Sequence, residues 1–277
     1  MSNLNNLEYD HILIRVGEIF LKGKNRNRFE SKLVSNIRKI CGLEVTKKRF
    51  RLITPYFEGH QCLKKVFGIT SYSLSIKVDK NIEDIKTKSL MILQGKTGKF
   101  KVNTKRSDKS FLLKSPEINS IIGKEIEEKT NLEVDYKNPS IILNIELNQD
   151  GAFLFFETIP CFGGLPVGVE GNVLLLIENE ASLLAGIMFM KRGCNIFPFA
   201  FENKNIDLLN KYSSQKLNLR VVNNIKDIET FSEEKKIDVL ISGNNFSNYN
   251  KLNTNLMIFR PLIAYSDQEI IEKLKSY

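Results

Sequence analysis

Residues 163–193, GGLPVGVEGNVLLLIENEASLLAGIMFMKRG, hold the reading on which the architecture of this chain turns. Gly163, Gly164, Pro166, Gly168 and Gly171 make a Gly/Pro cluster that neither helix nor sheet accommodates, which predicts a boundary between domains. Asn172 to Ile177 (NVLLLI) is a short, wholly apolar run, the pattern of a parallel strand buried on both faces. Ser182 to Arg192 then predicts a helix rich in Leu, Met and Ala, with Lys191 and Arg192 in its last turn and Gly193 just past its end. Strand, tight loop and helix in this order open a Rossmann-like α/β domain. In such a unit the loop delivers phosphate to the helix N-terminus, and it needs glycines and no negative side chains. Here the loop is Glu178-Asn179-Glu180-Ala181. Two carboxylates favour the helix through its dipole, and they stand where an anion would bind. A carboxylate about 4 Å from a phosphate charge costs roughly 1 kcal/mol in water and about 4 kcal/mol at an effective dielectric of 20.

Working outward, 277 residues with 42% hydrophobic and 26% charged content describe a globular protein with room for two or three domains. The opening MSNLNNLEYD lacks the basic and apolar regions of a secretion signal, and no apolar run approaches the roughly 18 residues of a membrane span. A cytoplasmic protein without membrane contact is the expectation. Cys41, Cys62, Cys161 and Cys194 stand far apart with no C-x-x-C, so neither a disulfide framework nor a zinc or iron–sulfur signature is visible, and they read as structural thiols. His11 and His60 leave no His-rich site, and no metal is expected.

The charge is unevenly placed. Residues 1–165 carry 28 Lys and Arg against 19 Asp and Glu, whereas residues 166–277 carry 13 of each, so the whole formal net charge of +9 lies in the first part. Residues 1–51 alone hold 12 basic and 5 acidic residues. Such a surface fits a polyanionic partner; solvated lysines on helix faces are the plainer alternative.

Asp10 to Val16 predicts a strand. It leads into GEIFLKGKNRNRFESKL, where Lys22, Lys24, Asn25, Arg26 and Arg28 gather at the start of a helix with the apolar stripe Phe29, Leu33, Ile37 and Ile40. Cations beside free N–H groups at a helix start form a candidate phosphate site. Arg49, Phe50 and Arg51 read as a basic strand, Cys62 to Phe67 as a second helix and Ile69 to Val78 as an alternating strand, together a small α+β domain. The next unit opens with a helix over Asn81 to Gln94 and a strand over Lys99 to Thr104 that carries Lys101. Lys105, Arg106, Lys109, Ser110 and Lys114 then decorate a loop. Ser115 as N-cap with Pro116 behind it starts a helix that buries Ile118, Ile121, Ile122 and Ile126. Strands over Ser140 to Leu147 and Ala152 to Ile159 flank a turn at residues 148–151. Basic loop, helix and sheet together suit binding to an RNA backbone.

The segments GEIFLKGKNRNRF, FKVNTKRSDKSFLLKSPEIN, DYKNPSIILNIEL, IPCFGGLPVG, MKRG and RPLIAYSDQEII resemble the tRNA 4-thiouridine synthetase family, also called tRNA sulfurtransferases. The resemblance implies an α/β protein with an α+β N-terminal half. Its parts are an N-terminal ferredoxin-like domain (residues 1–78), a THUMP RNA-binding domain (79–165) and a truncated Rossmann-like PP-loop domain of the adenine nucleotide alpha hydrolase type (166–277). It also implies that the first two domains hold tRNA, with THUMP taking the 3′ end. The third would adenylate a uridine with ATP before sulfur, delivered as a cysteine persulfide, replaces the oxygen.

Carried over by position, Lys105, Arg106, Lys109 and Ser110 fall on the family's THUMP loop, and Lys22, Lys24, Asn25 and Arg26 on its N-terminal basic motif. Both are retained. The family's pyrophosphate loop, Ser-Gly-Gly-x-Asp-Ser, falls on Ile177, Glu178, Asn179, Glu180, Ala181 and Ser182, where Ser182 alone agrees. Its Thr-Gly-Glu-Ser-x-Gly-Gln segment falls on residues 242–248 and keeps one glycine. No cysteine follows Cys194, so the usual persulfide-accepting thiol has no counterpart, which leaves Cys161 and Cys194, the latter beside Lys191 and Arg192, as candidates for sulfur chemistry. The expectation is a tRNA-binding protein with a degenerate ATP loop, no catalytic residue and no cofactor. The competing reading is an active or partner-complemented sulfurtransferase that uses ATP and Mg, with a separate catalytic or sulfur-delivering protein as partner. A third is a scaffold that forms a homodimer through the apolar strand and helix of residues 172–190.

Overall fold

The computed structural model describes residues 8–17, 19, 23–48 and 51–277. In chain order its regular elements are β1 (His11–Val16), α1 (Arg26–Cys41), β2 (Thr46–Lys48), β3 (Arg51–Pro55), β4 (Ile69–Val78), α2 (Ile82–Leu93), β5 (Thr97–Arg106), α3 (Ser115–Lys129), β6 (Asn131–Val134), β7 (Ile141–Asn148), β8 (Gly151–Phe155) and β9 (Ile159–Pro160). There follow β10 (Asn172–Leu176), α4 (Glu180–Lys191), β11 (Asn195–Ala200), α5 (Asp207–Asn210), β12 (Arg220–Val221), α6 (Ile225–Lys235), β13 (Val239–Ser242), β14 (Met257–Phe259) and α7 (Asp267–Leu274). The chain divides into two compact units, one of residues 1–15, 46–58 and 71–160, the other of residues 16–45, 59–70 and 161–277.

The first unit is built on alternation. Its sheet runs β2-β3-β1-β4-β8-β7-β5-β6, with β9 on β4. β5 pairs in parallel with both β6 and β7, which requires crossover connections, and α3 supplies the one to β6. Phe100 and Val102 of β5 point into a core with Ile85, Ile92 and Leu93 of α2 and with Ile118, Ile122 and Ile126 of α3, the last three at the four-residue spacing of one helix face. The opposite sheet face carries Leu13, Ile53, Phe153 and Phe155. Two boundaries differ from expectation. The α3 cap is Lys114, one residue before Ser115, because the Glu117 carboxylate accepts from the Lys114 N–H at 2.6 Å. The strand expected to reach Ile159 ends at Phe155 and resumes as β9.

The second unit holds a five-stranded parallel sheet, β12-β11-β10-β13-β14. β10 lies in its middle, and its side chains divide between two cores. Leu175 packs with Leu184, Ile187 and Met190 of α4, while Leu174 and Leu176 pack with Ile228, Phe231 and Leu240. A strand covered on both faces must be apolar at consecutive positions, which is why NVLLLI reads as it does. The same burial takes four apolar side chains of residues 172–190, where a homodimer surface was expected, into the chain's own cores: Leu174, Leu175, Leu176 and Ile187. α1 belongs to this unit with Phe29, Leu33, Asn36 and Ile37 inward. Its last residue, Cys41, is joined by a disulfide to Cys62, Cα–Cα 5.6 Å, in a 3-10 turn over His60–Lys65 where an α-helix had been expected. The reading of four separate thiols is thereby corrected; a separation of 21 residues says nothing about approach in space until the fold supplies it. Among the described residues no helix is long and apolar enough to cross a membrane, and no group of three or more His, Cys, Asp and Glu could hold a metal ion.

Candidate nucleic-acid interface and the loop before α4

The cations of the first unit are sorted by the pleat of β5. Lys101, Asn103 and Lys105 share the face opposite Phe100 and Val102, in register with Ile142, Asn144 and Glu146 of β7. Lys105 is exposed and lines a small cleft with Arg15, Asn103, Asn144 and Glu146. Arg106, its neighbour, points the other way and folds the following loop, its Nη1 donating to the Phe111 and Leu113 carbonyls at 2.6 Å each. Sequence reading put both residues in one loop with one role. They are the last two residues of β5, and period two sends them to opposite faces.

Two further groups hold that loop. Asp108 is buried, accepts from the Ser110 N–H and hydroxyl at 2.9 and 2.7 Å, and pairs with Lys80 at 2.5 Å. These bonds, Lys80 first, hold its carboxyl well below the usual carboxylate range. Ser110, expected to contact RNA, is thus committed to Asp108, whereas Lys101, Lys105, Lys109 and Lys114 have no acidic partner among the described residues. Beside the loop is a cleft of about 480 Å³ lined by Lys109, Ser107, Asn148, Asp150, Lys48 and Arg51 among others. Lys48 pairs with Asp150 at 2.5 Å, and Arg51 with the buried Glu146 at 2.6 Å. Lys48, Lys80 and Asp108 were not singled out from sequence, because nothing in their neighbourhoods reveals a partner 28 or more residues away.

In the second unit the N-terminal basic motif lies at the start of α1. Lys22 and the Lys24 side chain lie outside the described residues. Asn25 is the N-cap and makes no side-chain cap bond, and the first turn holds no acid. Arg26 pairs with Glu30 at 2.6 Å, and Arg28 donates to the Val169 carbonyl at 2.8 Å.

The loop before α4 is closed on itself. The helix starts at Glu180, two residues earlier than expected, because Asn179 is its N-cap. The fully buried Ser182 hydroxyl accepts from the Glu178 N–H at 3.2 Å and the Asn179 N–H at 3.5 Å, while the Ser182 N–H reaches Asn179 Oδ1 at 3.3 Å. Ile177 is buried, with its N–H on the Phe199 carbonyl at 2.7 Å. Across the loop, Ser242 Oγ lies 2.5 Å from Asn244 Oδ1 and 3.5 Å from Glu178 Oε2. Gly243 approaches so closely that a Cβ on it would stand 2.4 Å from Ser182 N and 2.8 Å from the Ala181 carbonyl carbon. Behind it, Asn245 donates to the Tyr265 carbonyl and to Asp267, and accepts from the Ser247 and Asn248 N–H groups.

Neither free thiol is activated. Burial pushes Cys161 up to about 11, against a small opposing effect of Lys64. Burial and then the Glu170 carboxylate raise Cys194, so the charge that governs it is negative, not that of Lys191 and Arg192.

An α+β sheet that bears cations with no acidic partner among the described residues, and a parallel α/β unit, define a mixed α/β protein. Residues 79–157 match the THUMP domain model and residues 11–73 the ThiI ferredoxin-like domain model. A "Probable tRNA sulfurtransferase" of Mycoplasmopsis agalactiae is 32% identical over 97% of this chain and 85% of its own length. One of Mycoplasmopsis synoviae is 40% identical over 68% of this chain and 50% of its own; the chain spans about half the length of such relatives. The crystal structure of a 4-thiouridine synthetase–RNA complex with bound ATP superposes with a TM-score of 0.82 at 28% identity, covering 97% of this chain and 85% of that one. That of PH1313 from Pyrococcus horikoshii gives 0.84 at 28% identity, covering 96% and 99%. The chain belongs to the tRNA sulfurtransferase family.

Proposed function

We propose that this chain holds tRNA on the cationic side chains of its THUMP-containing unit, and that its Rossmann-like unit is a retired PP-loop domain that neither binds ATP nor thiolates. The observation that carries this reading is the closed loop before α4. A pyrophosphate needs N–H groups free to point at it and no negative neighbours. Here the Glu178, Asn179 and Ser182 N–H groups bond to Ser182 Oγ and Asn179 Oδ1, Glu178 and Glu180 supply carboxylates, and Gly243 stands against Ser182. The residues present do not fit the polyphosphate of ATP. Burial, which raises both thiols, likewise speaks against Cys161 and Cys194 as persulfide acceptors. On this reading RNA held by the chain is modified, where it is modified, by a catalytic or sulfur-delivering protein that acts with it, and a tRNA partner fits a cytoplasmic protein.

A second reading, an authentic ATP-dependent tRNA sulfurtransferase, is favoured by the likeness to a 4-thiouridine synthetase solved with RNA and ATP. Equilibrium binding of labelled Mg–ATP, with and without bulk tRNA, separates the two. The first reading expects tRNA to be retained and ATP not to bind. ATP binding at micromolar to millimolar concentrations overturns it.

A further inference from the structure

We propose that the Rossmann-like unit carries a phosphate-binding cleft of its own, separate from the loop before α4, and that its occupant is a backbone phosphate of the bound RNA. β12 pairs only with Phe199 and Ala200, so β11 from Asn195 to Pro198 has no strand on that side. A cleft of about 230 Å³ opens there, lined by Lys32, Lys216 and Arg220 with Asn195, Ser213 and Gln215 among its polar groups. No Asp or Glu lines it, nor does any of residues 177–182. None of the three cations has an acidic partner among the described residues, and all three line one small volume.

Two of the three are placed in advance. Arg28, Lys32 and Asn36 succeed one another at four-residue spacing on one face of α1, and the outer two fix the 167–169 backbone, Arg28 on the Val169 carbonyl at 2.8 Å and Asn36 on the Val167 carbonyl at 3.1 Å. Lys32 is thereby held against Gly168, whose φ of +91° only glycine adopts readily and where a Cβ would lie 2.8 Å from the Lys32 ammonium and 2.9 Å from Asn195 Oδ1. The Arg220 guanidinium rests over the Phe231 ring, 4.5 Å from its centroid. Cations already ordered lose little freedom when an anion arrives. The size decides the ligand: pockets that enclose whole nucleotides or cofactors run from about 300 to 1,000 Å³, so this one takes a single phosphate group and leaves the rest of the molecule outside. A polymer backbone presents its phosphates in that manner.

The occupant rests on the tRNA reading above, and the experiment keeps the two apart. Full-length protein and the Lys32→Gln/Lys216→Gln variant are titrated with bulk tRNA across a range of salt concentrations. Loss of one phosphate contact lowers the slope of log K against log salt by about 0.7–0.9, roughly an eightfold loss of affinity at 0.1 M salt. A Lys251→Gln/Lys275→Gln control of equal charge change keeps the original slope. Equal slopes and affinities for the cleft variant and the wild type overturn the proposal. Should the wild type bind no tRNA, the function proposed above fails, and inorganic phosphate decides the cleft. Shifts of the Ser213–Asn218 amide resonances that vanish in the cleft variant keep a phosphate site with another occupant; no shift in the wild type removes it.

Discussion

From β5 to α3 and from β10 to α4 the chain makes the same move, a strand with parallel neighbours, a loop and a helix capped by the chain's own side chains. After β5, Glu117 caps the Lys114 N–H, and the loop is pinned from within by Arg106, Asp108 and Lys80, so Lys105, Lys109 and Lys114 are left exposed, with no acidic partner among the described residues. After β10, Ser182 and Asn179 take up the backbone donors and Gly243 closes over them. A strand–loop–helix unit therefore confers no anion site by its geometry alone. What decides is whether capping leaves cations outward or turns the loop's own donors inward.

The difference breaks most visibly in RNA binding. Replacing Lys105, Lys109 and Lys114 together by Gln is expected to weaken tRNA binding by about two orders of magnitude at 0.1 M salt, with the salt slope falling by roughly 0.7–0.9 for each phosphate contact removed. Glu178→Gln/Glu180→Gln leaves slope and affinity as they are. A tRNA titration in which the two variants behaved alike would erase the distinction between the loops. Next in size, Gly243→Val forces atoms into the Ser182 backbone and should cost about 1–3 kcal/mol, read from denaturant unfolding; an unchanged midpoint would show that the two segments are not in contact. Ser182→Ala removes the acceptor for two loop N–H groups, and the loss expected is about 1 kcal/mol. If the α4 loop were open, that change would be neutral.

The smallest effect is one of pH. Asp108 titrates lower in the folded protein than the ordinary Asp value of 3.8, so its contribution is fully present above that value and is lost as pH falls through the folded one. Hydrogen exchange at the Ser110 amide should quicken, relative to the intrinsic rate, only below about pH 4, and Asp108→Asn should show the quickened exchange already at neutral pH. Exchange in the Asn variant equal to that of the wild type would take Asp108 out of the loop's support.

Much of this was legible beforehand because it is local. Alternation in ITSYSLSIKV, the apolar run NVLLLI and the helix behind it each dictate an element from their own side chains. Glu178 and Glu180 are visible as carboxylates at the start of a helix without any structure. Other features escaped because they depend on which strand face or which distant segment a residue meets. Lys105 and Arg106 look equivalent in sequence and are not, since the pleat separates them. Cys41 and Cys62 meet only when α1 and the 60–65 turn pack. Cys194 looks activated by Lys191 and Arg192 until its burial, and then the Glu170 carboxylate, are taken into account.

By itself, then, the sequence determined the element types, the basic first part, the carboxylates before α4 and the family. Tertiary structure alone decided which cations remain without partners, how Gly243 and Ser182 close the second loop, and where Lys32, Lys216 and Arg220 converge. The physical reason is range. Propensity, capping and periodicity act over a few residues and are written in order along the chain, whereas ion pairing, burial and close approach are properties of neighbours that only folding brings together.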